Sequence, residues 1–211
     1  MGLFTKKFRF EGSWYIGDAY GQVPHGKGTC YFDNGNVYEG EFKHGKFCGM
    51  GAYGFKNGNT YIGQFENDKY NGFGVLTCRT EGWVYTGQFR NGYFHGDGMT
   101  EYNNGETYIG GYENGYFSGT GSYTYPSGAR YDGDFFDGRK QGEGIFIYSN
   151  GNVYEGSWFM GKRQGRGKYT YPNGKTVTGT WDKDKCDGIG YIRYPDGRVE
   201  EHYWEENKMV W

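Results

Sequence analysis

Gly49-Met50-Gly51-Ala52-Tyr53-Gly54 has the spacing of a loop that cradles dinucleotide phosphates. That chemistry needs backbone N–H groups at the start of a helix, where the helix dipole favours an anion. This stretch runs into a strand pattern instead, so no nucleotide site is expected. His25, His44, His95 and His202 are scattered, and no Ser/His/Asp or Cys/His set accompanies them. Cys30, Cys48, Cys78 and Cys186 lie far apart, with no C-x-x-C pair and no Cys/His cluster. They read as reduced thiols of a cytosolic protein. No enzyme, cofactor or metal ion is expected.

The side chains left to act are aromatic and basic, and their chemistry is binding. Phe47, Tyr70, Phe94 and Phe117 fill one slot of a recurring pattern, and Lys140, Arg163 and Cys186 fill it afterwards. Stacked in register, the four rings form a ladder suited to a protein helix or peptide, because Tyr and Phe offer large contact area at little entropic cost. The recurring Tyr38, Tyr61, Tyr85, Tyr108 and Tyr131 belong to the same candidate face. The competing reading is that the rings fold back over the sheet while the cations solvate its edge. A second functional reading is peripheral: Arg139, Lys140, Lys162, Arg163 and Arg166 as a phosphoinositide site. Against it, Asp182, Asp184 and Asp187 interleave with the basic stretch that runs on through Lys183 and Lys185.

These residues need an element to hold them, and composition narrows the choice. Among 211 residues there are 42 Gly, 23 Tyr and 16 Phe but only 4 Pro. Glycine at this level without a Gly-X-Y period is not collagen, and the aromatic content exceeds what a disordered chain carries. The formal net charge of −2 gives no overall drive toward nucleic acid or an anionic membrane. No run approaches the roughly 20 apolar residues of a membrane-spanning helix. Met1-Gly2-Leu3-Phe4-Thr5-Lys6 resembles a myristoylation signal, but Lys6 stands where Ser or Thr is required.

The chain repeats itself every 23 residues, and a repeat of this period dictates the fold. Repeats are read from Phe10, Tyr38, Tyr61, Tyr85, Tyr108, Tyr131, Tyr154 and Val177. The first carries five extra residues within 18–25 and the third one extra within 80–82. Each opens on an aromatic, followed by Gly two later and an aromatic four later, all on one side of an extended strand. The intervening Glu39, Glu41 and Lys43 are polar, so one face is expected to be aromatic and the other wet. Asn91-Gly92 and Asn57-Gly58 exemplify two turn signals per repeat, since Asn-Gly tolerates the positive φ of a tight hairpin. Rings of one strand are expected to lie over glycines of the next. A lone 23-residue hairpin cannot offset its ordering entropy, about 1 to 2 kcal/mol per residue, so neighbours must stack.

The expected fold is therefore all-β: an elongated, single-layer, twisted antiparallel sheet of about eight β-hairpin repeats over residues 10–199. Residues 1–9 form an N-terminal cap segment. Residues 200–211 form a C-terminal partial repeat, with His202 and Asn207 where Gly is expected and an acidic set, Glu200, Glu201, Glu205 and Glu206, blunting the edge.

Tyr38-Glu39-Gly40-Glu41-Phe42 through Gly49-Met50-Gly51, with its copies, closely resembles the MORN repeat (membrane occupation and recognition nexus), over essentially the whole chain. Asp68 and Asp184, in place of the mid-repeat Gly, and Cys78 and Val177, in ring positions, depart from it. The resemblance implies a non-enzymatic scaffold that binds protein partners, in the cytoplasm and within a cytoskeletal, ciliary or axonemal assembly. Self-association through the sheet ends and contact with membrane phospholipid are compatible with it; nucleic acid is not an expected partner.

Overall fold

The computed structural model describes residues 4–211. Residues 1–3, where the myristoylation-like start falls, lie outside them. Every regular element among the described residues is a β-strand, and no helix is long and apolar enough to cross a membrane. The chain forms two compact units, Met1–Asn104 with Tyr112–Gly115, and Gly105–Gly111 with Tyr116–Trp211.

In the first unit the strands Phe4–Phe10, Ser13–Tyr20, Val23–Phe32, Val37–Lys43, Lys46–Gly54, Thr60–Glu66, Lys69–Cys78, Trp83–Arg90 and Tyr93–Tyr102 follow one another as an antiparallel meander. The second unit repeats the plan from Tyr116–Thr124 to Lys208–Met209. Strand Thr107–Glu113 is divided between them.

Both turn signals are used as their chemistry requires. Asn91 and Gly92 have φ of 52° and 91°, left-handed at both central positions, which matches the twist of the flanking strands. At the other turn the Gly58 N–H donates to the Phe55 carbonyl at 2.9 Å, and the Asn59 N–H to Asn57 Oδ1 at 3.1 Å.

Each unit has its own core column of opener tyrosines: Tyr15, Tyr38 and Tyr61 are fully buried in the first, Tyr131 and Tyr154 in the second. Each lies flat because two glycines make room. A Cβ on Gly51, in the strand paired with that of Tyr38, would stand 2.6 Å from Tyr38 Oη and 2.7 Å from Cε2. A β-bulge follows the first Gly of the hairpin between Gly63 and Phe65, and again between Gly133 and Phe135. It brings Phe65 opposite Tyr70 and so sets which ring meets which.

The first repeat differs from its expected frame. Tyr15, not Phe10, occupies the buried opener site, and Gly17 pairs with Gly28 as Gly40 does with Gly51. The step from Tyr15 to Tyr38 is 38 − 15 = 23 residues, so the inferred five-residue insertion disappears. Phe10-Glu11-Gly12-Ser13-Trp14 mimics an opening by composition, but Glu11-Gly12 is a turn. The outer face is also less wet than expected in the first unit, where Met50, Ile62 and Phe73 stand 54%, 57% and 57% exposed.

Successive repeats are clamped across the mid-repeat turn. The Gly92 N–H donates to the Tyr70 carbonyl at 2.8 Å, and the Gly161 N–H to the Lys140 carbonyl at 2.9 Å. Where Gly is replaced, the turn survives and gains a bond. Asp68 has φ 69°, donates its N–H to the Phe47 carbonyl at 3.2 Å, and accepts the Phe47 N–H on Oδ1 at 2.8 Å. Asp184 makes the same reciprocal pair with Arg163 and Asn207 with Cys186. The departures at Asp68, Asp184 and Asn207 are thus reinforced joints between repeats.

Candidate partner-binding face

The five tyrosines expected to meet a partner do not reach solvent. Tyr38, Tyr61, Tyr85, Tyr108 and Tyr131 are each 0% exposed. Their hydroxyls donate to backbone carbonyls three residues on, those of Glu41, Gln64, Gln88, Gly111 and Asp134, at 2.7 to 3.1 Å. Burial pushes all five phenols up, so they stay neutral. They are core, and the periodicity that made them conspicuous is the periodicity of packing.

The ladder residues sit one layer above. Phe47 stacks on Tyr38 with centroids 3.7 Å apart, Tyr70 on Tyr61 at 3.8 Å and Phe94 on Tyr85 at 3.9 Å, all within 17° of parallel. In the second unit Phe117 stacks on Tyr108 at 3.7 Å. Each also meets a ring of the following repeat edge-on, as Phe47 meets Phe65 at 5.8 Å. All four are half-buried. One ring face therefore covers the tyrosine column while the other faces outward. Both expected behaviours coexist: the rings fold back, and they still present apolar surface.

In the first unit this surface is the floor of a groove of about 610 Å³, in which Phe47 and Tyr70 are joined by Phe10, Phe32, Tyr53 and Phe55. Phe32 and Tyr53 are 5.9 Å apart, and Tyr53 and Phe55 4.8 Å. Phe32 and Phe55 were missed as site residues, although Phe55 follows Tyr53 by two positions and Phe32 follows Cys30 in the same way, the spacing that puts both on the ring side. Glu11, Asp68, Lys46 and Lys69 line the groove together with the rings.

The basic residues proposed for phosphoinositide do not converge. Lys140 and Arg163 occupy the ladder slot and turn inward. Lys140 Nζ lies 4.4 Å from the Phe146 ring centroid, 5.0 Å from Trp158, 5.1 Å from Tyr131 and 5.3 Å from Tyr125. The Arg163 guanidinium lies 4.3 Å from the Trp181 centroid and donates to the Asp184 carbonyl and carboxylate. Arg139, Lys162 and Arg166 alternate with them along their strands and are exposed on the other side. In a strand the two faces are opposite by geometry, so five cations close in sequence cannot form one patch. Cys186, next in the series, is buried, and burial pushes its thiol up to about 11, away from nucleophilic reactivity. Among the described residues no group of three or more His, Cys, Asp or Glu side chains is placed to hold a metal ion.

Compared with known proteins, the sequence matches the MORN repeat model eight times, at residues 23–37, 38–60, 61–82, 85–107, 108–130, 131–153, 154–176 and 178–197. No curated protein matches it in sequence. Among solved structures it is similar to the wild-type TCP10 domain of Danio rerio CPAP, with 15% identity, 98% of each chain covered and a TM-score of 0.37. It is also similar to the TCP domain of Drosophila melanogaster SAS-4 in complex with a proline-rich motif of Ana2, with 15% identity, coverage of 85% and 84%, and the same TM-score. At these values the likeness carries no functional argument.

Proposed function

The chain belongs to the MORN repeat family, and from that premise we propose that it is a non-enzymatic scaffold whose aromatic groove captures a helix or extended peptide of a protein partner. The observation that carries this reading is the groove in the first unit: about 610 Å³ of apolar space floored by rings that the tyrosine column holds rigid. Rigid aromatic walls lose little entropy on binding, which suits them to anchor apolar side chains. Placement in a cytoskeletal or ciliary assembly rests on analogy with the family alone.

The test is face-specific photo-crosslinking in native extract. A benzoylphenylalanine at Tyr53, in the groove, should capture a defined protein in stoichiometric yield. The same group at Ile62, exposed on the opposite face, should not. Capture from Ile62 alone would overturn the assignment of the face, and capture from neither would overturn the scaffold reading.

A further inference from the structure

Lys140 interrupts the ladder in the second unit, and its surroundings are unlike those of the chain's other lysines. Four rings from Tyr125, Tyr131, Phe146 and Trp158 enclose its ammonium within 5.3 Å. Among the described residues no carboxylate lies within ion-pair distance of it, whereas Lys168 pairs with Glu155 and Lys185 with Glu206. A half-buried cation held only by ring quadrupoles keeps much of its desolvation cost. The acidic group that acts on it is Asp184, whose Oδ1 is already taken by Arg163. Tyr125 and Tyr131 also face it, but burial keeps those phenols neutral. Lys140 is thus a half-buried charge with no ion-pair partner.

It also has an opening. A second groove, of about 210 Å³, is lined by Phe117, Tyr123, Tyr125, Phe135 and Lys140. We propose that this groove is an anion subsite that seats a carboxylate side chain of the protein partner, with the adjoining apolar group of the same segment on the aromatic floor. The proposal rests on the scaffold reading above and names the chemistry of the partner: an acidic residue beside an apolar anchor. Charge complementarity decides the occupant. A carboxylate supplies the counter-ion that the fold does not, in a site where low dielectric strengthens the pair. Burial holds the Lys140 ammonium down at about 8, and an ion pair would restore it.

The probe is 3-phenylpropionate, compared with its neutral amide, titrated into the full chain with lysine side chains labelled with carbon-13 at the ε position. Phenylpropionate should move the Lys140 signal and raise its proton affinity at least tenfold, and the amide should not. Lys140→Met, which fills the slot without charge, should weaken phenylpropionate binding at least tenfold while leaving the amide unaffected. Equal binding of acid and amide, or movement of Lys162 and Lys168 in place of Lys140, would overturn the anion subsite. Anionic vesicles that move the Lys140 signal where phenylpropionate does not would overturn the peptide carboxylate as occupant. If Tyr53 still crosslinks a partner while Lys140 stays silent, only the subsite fails. If Lys140 responds while nothing crosslinks at Tyr53, only the scaffold reading fails.

Discussion

Phe47 lies face to face on Tyr38, 3.7 Å between centroids and 14° from parallel, while Tyr38 is itself sealed against Gly51. The contact makes one ladder ring both a lid on the core and the floor of a groove, so removing the ring tests two things at once. Phe47→Ala should destabilise the protein by about 2 to 3 kcal/mol, below the full cost of a deeply buried Phe because one face is already wet. Phe47→Leu should cost less than about 1.5 kcal/mol. Urea unfolding monitored by far-ultraviolet circular dichroism checks both, and partner capture should be compared only with the leucine variant.

The two positions of the Gly-x-Gly pair should respond unequally. Gly51→Ala drives a methyl into the Tyr38 ring, and should cost about 3 kcal/mol. Gly119 has φ +68° but nothing within 4 Å of an added Cβ. Its alanine variant should cost only the left-handed strain, about 1 to 2 kcal/mol. Equal losses in urea unfolding would mean that the rings do not lie where the structure has them.

The reciprocal bond at Asp68 predicts an order that propensity alone does not. Asp68→Asn should be nearly neutral, because Asn207 performs the same task for Cys186. Asp68→Ala should lose about 1 to 2 kcal/mol, through both the Phe47 N–H partner and the left-handed φ. Asp68→Gly should fall between them, keeping the conformation and losing the bond. Thermal unfolding ranks the three.

Lys140 gives a pH signature whose sign is fixed. Its folded value, about 8, lies below the ordinary lysine value, so between these two the unfolded chain binds more protons and stability rises with pH. The opener tyrosines act in the opposite sense. Their folded phenols are raised, so the stability they contribute is present below the ordinary tyrosine value and lost above it. Burial likewise raises the thiols of Cys30, Cys48 and Cys186, so above the ordinary thiol value of about 8.5 they too lower stability as pH rises, and the lysine effect between pH 8 and about 10 is read as a difference between variants. Across that window the denaturation midpoint of the native chain should rise relative to that of Lys140→Met, whose thiols alone act and lower it. Parallel pH profiles in the two chains would assign the effect elsewhere.

Sequence alone determined the strands, the hairpins and the aromatic side of the sheet. Period-two alternation and Asn-Gly or Asp-Gly pairs are local signals, read from a few adjacent residues, and repetition multiplies them. What lay beyond sequence was everything decided across the stack. Phe10 and Tyr15 are both aromatics two residues before a Gly, and only pairing of Gly17 with Gly28 shows which is the opener. Tyr38 and Phe47 are both ring positions, yet one is sealed and the other shared with solvent, because the glycines and the bulge choose which ring lies lower. Lys140 and Arg163 read as surface cations until the slot above the tyrosine column is seen to accept a cation in place of a ring. Asp68 reads as a defect until its carboxylate is found on the N–H of a residue 21 positions earlier. Alternation assigns a side chain to a face. The depth of that side chain, and what it touches in the neighbouring repeat, follow from register and packing between strands, which no local pattern encodes.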